Sequence, residues 1–223
     1  MILSLSGPVL TREEKAFFRA VQPWGFILFG RNVESLTQVR ALVDDARDAV
    51  GWQAPVLIDQ EGGTVRRLRP PLVRDYPSAD VIAALWQAAT ETAREAAFAT
   101  GRLMAADLHA LGIDVDCAPV LDMPPEAGTG FIARRAYGST PEQVTTLAQA
   151  VADGLMAGGV QPVVKHVPGH GRGFADSHTD LPVVDAPLDL LRTTDFRPFQ
   201  ALEGIRMAMT CHCVFAAVDP YHP

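Results

Sequence analysis

No stretch of this sequence reaches the roughly 18–20 consecutive apolar residues that a membrane-spanning helix requires. The opening residues, MILSLSGPVLTREEK, lack a basic segment ahead of their apolar run, and that run is too short for a secretory signal. The expectation is a cytoplasmic protein without a membrane partner. Positive charge is also in deficit: 19 Lys and Arg stand against 26 Asp and Glu, for a formal net charge of −7. Binding to phosphate backbones wants a basic face, which argues against nucleic acid as the main partner. Arg66, Arg67 and Arg69 form a local basic cluster, read either as a pocket or as a solvated helix start or loop. Only three cysteines occur, Cys117, Cys211 and Cys213. An odd count in apolar surroundings fits reduced, buried thiols better than a disulfide framework. The G-x-G-x-x-G turn of a dinucleotide site is absent as well; GTG at 128–130 runs on into FIA.

What the chain does have is alternation. Short apolar runs at 2–7, 25–30, 55–60, 113–122, 160–166 and 205–215 are separated by helical segments. The segment 11–21 opens with Thr11 followed by glutamates, a helix start signal. Leu36, Val39, Leu42 and Val43 share one face of 35–50. The alanine-rich stretch 79–111 reads as one continuous helix. The segment 140–159 has a Thr cap, Pro141 at the first helical position and a glycine stop. The segment 186–204 reads as helical with a break before Pro198.

Strands apolar on both faces that alternate with helices indicate an α/β protein with a parallel sheet. Polar residues gather at the C-terminal ends of these runs: Asp59, Glu61, Asp116, Asp122, Lys165, His166 and His212. A (β/α)8 barrel of the TIM type builds its active site there. The pattern supplies six strand–helix beginnings where a barrel has eight, and 223 residues where about 250 are typical. A single domain over 1–223, a barrel incomplete at its C-terminal side, is the expectation.

The densest chemistry lies at 165–178, KHVPGHGRGFADSH, which follows the strand-like VQPVV. His166, His170 and His178 leave a zinc site open, since two histidines and a carboxylate can hold a catalytic zinc. The intervening Pro-Gly is a poor helix, so His166 and His170 need not share a face. Asp176, two residues before His178 on a glycine-rich loop, can accept the imidazole N–H, fix the tautomer and leave the other nitrogen to move a proton. A surface turn with Asp176 capping a backbone amide is the competing reading. Cys211-His212-Cys213 is unlike a zinc knuckle. Strand alternation points both cysteines one way and His212 the other.

Four segments in this order, IDQEGGTVRRL (58–68), FIARRAYGS (131–139), VVKHVPGHGRGFADSHTDLPVVD (163–185) and AMTCHCVFAAVDP (208–220), resemble glycoside hydrolase family 3. The similarity is closest to its bacterial β-N-acetylglucosaminidases of peptidoglycan recycling, and it runs the length of the chain. The resemblance implies a (β/α)8 barrel and a retaining hydrolase that releases terminal β-linked N-acetylglucosamine. The implied substrate is a saccharide or muropeptide carrying GlcNAc on 1,6-anhydro-N-acetylmuramic acid. No metal or organic cofactor is implied. Carried over by motif, Asp59, Arg135, Lys165 and His166 contact the sugar, and His178, oriented by Asp176, is the catalytic acid/base. Val167 stands where the family usually has Phe, and Ala136-Tyr137 where it usually has Ser-Phe. The family nucleophile is an aspartate at the end of a seventh strand, a position this sequence does not reach. Two rivals follow: a catalytically inactive sugar-binding fragment, and a zinc-dependent hydrolase using the loop histidines.

Overall fold

The computed structural model describes residues 1–124, 132–173 and 181–223. Six parallel strands form one sheet in sequential order: β1 (Ile2–Ser4), β2 (Gly25–Leu28), β3 (Val56–Ile58), β4 (Val115–Asp116), β5 (Gln161–Val167) and β6 (Met207–Thr210). Each strand pairs with the next in parallel, for example Phe26 with Val56 and Val163 with Met207. Sequential parallel order demands a crossover between every pair. The helices supply it: α1 (Arg12–Val21), α2 (Leu36–Val50), α3 (Thr90–Ala110), α4 (Pro141–Ala157), α5 (Leu188–Thr193) and α6 (Arg197–Ala201), besides a short helix at Ala79–Ala83. This is the (β/α)-barrel arrangement expected from the sequence, with β1 and β6 at the two ends of the curled sheet.

Local chemistry sets the helix starts. Thr11 Oγ1 accepts from the Glu14 amide at 3.1 Å, and Glu14 Oε2 accepts from the Thr11 amide at 3.0 Å, a complete capping box. Ser35 and Gln38 repeat the device at α2, and Thr140 with Pro141 opens α4. The faces these helices bury (Val39, Leu42, Val43 and Ala46 on α2; Val144, Leu147, Val151 and Leu155 on α4) join one core with Phe26, Leu28 and Ile58. Glycines let α3 and α4 approach closely. A Cβ on Gly101 would sit 2.2 Å from the Val151 carbonyl oxygen, and one on Gly154 would sit 2.2 Å from that of Phe98.

Three expected elements are broken, each for a physical reason. The stretch 79–111 is two helices. The amides of Leu85 and Trp86 bond only three residues back, and Ala89 is extended. Gln143 Nε2 on α4 also donates to the Ala83 carbonyl at 3.0 Å, beside the Trp86 amide. The strand expected over 113–122 is regular only at Val115–Asp116, because Pro119 has no N–H for the ladder. Pairing with β5 resumes beyond it, where the Leu121 amide bonds the Lys165 carbonyl at 2.7 Å. The run 205–215 divides into β6 and Val214–Phe215, which leaves the main sheet to pair with Val183–Val184. A satellite cluster of Val184, Leu191, Cys213 and Phe215 draws it there. Residues 211–213, expected on a strand, lie between β6 and Val214–Phe215, with Cys213 buried and His212 exposed.

Candidate active site

The end of β3 turns into a hairpin, Gln60–Gly62 against Val65–Arg66. Gln60 stitches it together: its Oε1 accepts from the amides of Arg67 and Leu68, both at 3.1 Å, and its Nε2 donates to the Leu68 carbonyl at 3.0 Å. Gly62 and Gly63 make the turn at φ 85° and 59°. A Cβ on Gly62 would lie 2.4 Å from the Pro77 carbonyl oxygen, so the Gly-Gly pair is needed for the chain to pass.

Residues two apart on extended chain share a side. Asp59 and Glu61 do so, and both reach Lys165 at the end of β5. Lys165 Nζ lies 2.9 Å from Asp59 Oδ1 and 2.6 Å from Glu61 Oε1. Arg135 grips Glu61 in bidentate fashion, with both N–H···O distances 2.8 Å. Arg67 donates to the outer oxygen of Asp59 at 2.8 Å. The result is an alternating chain Arg67–Asp59–Lys165–Glu61–Arg135. It runs from a Lys165 side chain only 2% exposed to an Arg67 side chain 28% exposed. On that side Arg67 lines a groove of about 640 Å³ together with Arg66, Arg69 and Pro70. The network is therefore closed beneath and open at one end.

The charges hold one another ionised. Burial alone would raise Asp59, but Lys165 and Arg67 outweigh it and keep the carboxyl below its usual value. Glu61 is likewise depressed by Lys165 and Arg135 against its burial. Burial works against the Lys165 ammonium, yet Glu61 and Asp59 raise it above its ordinary value. Asp116 behaves oppositely. It is fully buried, one oxygen accepts the Gln60 amide at 3.0 Å, and the other has no partner among the described residues. Burial pushes its carboxyl well above the usual range, which favours the uncharged form beneath the network.

Beside the network is a second carboxylate cluster. Asp122, also fully buried, has one carboxylate oxygen 2.6 Å from His166 Nδ1. Its other oxygen accepts the His166 amide at 3.2 Å and the His170 amide at 2.7 Å. Burial opposes its ionisation, but His166 and these amides hold its carboxyl below the ordinary value. The His166 and His170 rings meet edge to face, centroids 6.0 Å apart. The Lys165–His166 and Val167–Pro168 peptide bonds are cis. No group of three or more His, Cys, Asp or Glu side chains among the described residues is placed to hold a metal ion.

Of the residues singled out in the sequence, Asp59, Arg135 and Lys165 come together in one network, and His166 adjoins it. Asp176 and His178 lie outside the described residues. Arg134, beside Arg135, makes a 3.9 Å surface contact with Asp80. Glu61 and Arg67 are site residues that motif reading did not assign. Spacing could have found Glu61, two residues beyond Asp59. Arg67 depends on the hairpin, which returns it to Asp59 across eight residues.

A charged pocket at the C-terminal edge of a parallel barrel sheet is where barrel enzymes work. The glycosyl hydrolase family 3 N-terminal domain matches residues 8–223, and the chain belongs to that family. It is similar to a beta-hexosaminidase from Idiomarina loihiensis, 35% identical over 99% of this chain and 66% of the relative. One from Methylococcus capsulatus is 38% identical over 100% of this chain and 65% of the relative. The crystal structure of NagZ from Neisseria gonorrhoeae in complex with N-trifluoroacetyl-D-glucosamine superposes with a TM-score of 0.91 at 32% identity, covering 100% of this chain and 65% of that one. The chain thus spans about two thirds of these relatives, as a beta-hexosaminidase-like domain of the family.

Proposed function

We propose that this chain supplies the sugar pocket and the acid/base of a retaining β-N-acetylglucosaminidase. The observation that carries the reading is the alternating chain of Arg67, Asp59, Lys165, Glu61 and Arg135 at the strand ends. Neighbouring sugar hydroxyls each donate one hydrogen bond and accept others. Asp59 offers acceptors, while Lys165, Arg67 and Arg135 offer donors, all charged and fixed before a ligand arrives. The N-acyl glucosamine bound by the Neisseria gonorrhoeae protein supports a saccharide of this kind.

In this mechanism His178, oriented by Asp176, protonates the leaving oxygen while a carboxylate attacks the anomeric carbon from the opposite face. Water then cleaves the glycosyl–enzyme bond, with His178 as base, and the configuration is retained. The family resemblance assigns the attacking carboxylate to a seventh strand, which this sequence does not reach. Two further βα units, closing the barrel between β6 and β1, belong to the same proposal. GlcNAc on 1,6-anhydro-N-acetylmuramic acid, in cytoplasmic cell-wall recycling, is the substrate that the similarity favours.

The test is to titrate residues 1–223 with N-acetylglucosamine and assay an aryl N-acetyl-β-glucosaminide in parallel. Saturable binding without turnover is expected. Failure to bind overturns the sugar-pocket reading. Turnover comparable with an intact family enzyme would place the nucleophile within these 223 residues.

A further inference from the structure

Asp122 has a geometry that its burial makes consequential. Its side chain is 0% exposed, so its oxygens have no solvent partners to exchange for the ones they hold. The segment 119–122 lies alongside β5, through the Val120–Lys165 bridge and the Leu121 amide bond to Lys165. That pairing delivers the carboxylate to His166. One oxygen is occupied by two backbone amides, of His166 and His170, and only the other faces the ring, 2.6 Å from Nδ1. An ionised carboxylate can only accept, so Nδ1 must carry the proton.

We propose that Asp122 is a positioning residue that fixes the neutral His166 ring as the Nδ1–H tautomer, leaving the Nε2 lone pair to accept a hydrogen bond from a saccharide hydroxyl. The ligand half of this proposal rests on the sugar-pocket reading above; the tautomer half does not. The same oxygen that binds the two amides also fixes where the backbone at 166–170 sits, so ring and backbone are set by one group. Replacement by Asn makes the dependence testable. The amide oxygen takes the place bonded to the two backbone N–H groups, and the NH2 faces His166 Nδ1. A donor there reverses the ring to the Nε2–H tautomer without removing either backbone bond.

The experiment is long-range ¹H–¹⁵N correlation of the imidazoles in ligand-free protein, at about pH 8.5, where an ordinary imidazole is neutral. His166 is assigned by comparison with His166→Gln. The parent shows Nδ1 protonated and Asp122→Asn shows Nε2 protonated. An Nε2–H pattern in the parent overturns the proposal, whether or not the variant folds. Titration with N-acetylglucosamine then reads the ligand half. Affinity falls roughly tenfold in Asp122→Asn, the scale of leaving a buried polar partner mismatched, and Asp122→Asn adds no further loss in a His166→Ala background. An equal additional loss in that background shows that Asp122 acts by another route and overturns the ligand half. Absence of saccharide binding in the parent overturns the functional reading and this half with it, while the ligand-free spectrum still decides the tautomer.

Discussion

Lys165→Met tests the charge network at its centre. Methionine keeps an unbranched apolar stem and removes the ammonium that lies 2.9 Å from Asp59 and 2.6 Å from Glu61. With the native side chain only 2% exposed, little water is at hand to solvate the two carboxylates left behind. Removing one partner of a buried ion pair typically costs about 3–5 kcal/mol. Asp59 keeps Arg67 and Glu61 keeps Arg135, so the lower end, about 3 kcal/mol near neutral pH, applies. The sign of the pH dependence follows from the shifts. In the parent both carboxyls are depressed, so the stability they contribute is present above their unfolded value of about 4 and is lost as pH falls through their folded values. Without the ammonium each carboxyl loses the largest of the interactions that depress it and moves up toward its unfolded value. The pH-dependent stability owed to Lys165 is lost with it. The stability gap between parent and variant should therefore be widest at about pH 7.5 and shrink toward about pH 4. Urea denaturation at several pH values measures it. A gap below about 1 kcal/mol at neutral pH, the scale of a surface pair, or one that widens toward acid, would refute the reasoning.

Three further outcomes are expected. Asp116→Asn should be neutral or stabilising near pH 7, because burial disfavours the charged form of the native carboxyl. A raised carboxyl contributes stability below about pH 4 that is lost as pH rises, so the variant's advantage in thermal melts should vanish in acid; a loss above about 2 kcal/mol at neutral pH would show an ionised Asp116. Gly62→Ala should cost more than about 2 kcal/mol by denaturation, since it adds left-handed strain to a 2.4 Å clash with the Pro77 carbonyl oxygen; a change within about 0.5 kcal/mol would contradict the hairpin geometry. In the protein extended through its remaining barrel strands, His178→Ala should slow glycosylation about 100-fold or more for poor leaving groups and far less for activated aryl glycosides. Equal losses on both, by pre-steady-state kinetics, would remove His178 from the acid role.

The parallel sheet and the crossover helices were legible because each depends on local pattern: apolar runs for β1 to β6, and capping residues such as Thr11 and Thr140 for the helices. The departures are tertiary. Nothing within 79–111 signals that Gln143, sixty residues away, will donate to the Ala83 carbonyl where the first helix ends. Nor does the apolar run 205–215 show that its last residues will bury against Leu191 and Val184 instead of extending the sheet. The site divides in the same way. Asp59, Lys165 and Arg135 sit in recognisable motifs. Glu61 and Arg67 join the cluster only once the Gly62-Gly63 turn folds the chain back on itself. Asp122 was visible as a strand-end acid, but its partnership with His166 depends on pairing between 119–122 and β5.

The central claim is that the Asp59–Lys165–Glu61 cluster is a pocket for an N-acyl glucosamine. A ¹⁹F NMR titration of the chain with N-trifluoroacetyl-D-glucosamine, beside the charge-removing but isosteric Asp59→Asn, tests it most directly. The account predicts a saturable shift in the parent and an affinity at least about tenfold weaker in the variant, the scale of one charged hydrogen bond. An unshifted resonance in the parent, or equal affinity in the two proteins, would contradict it.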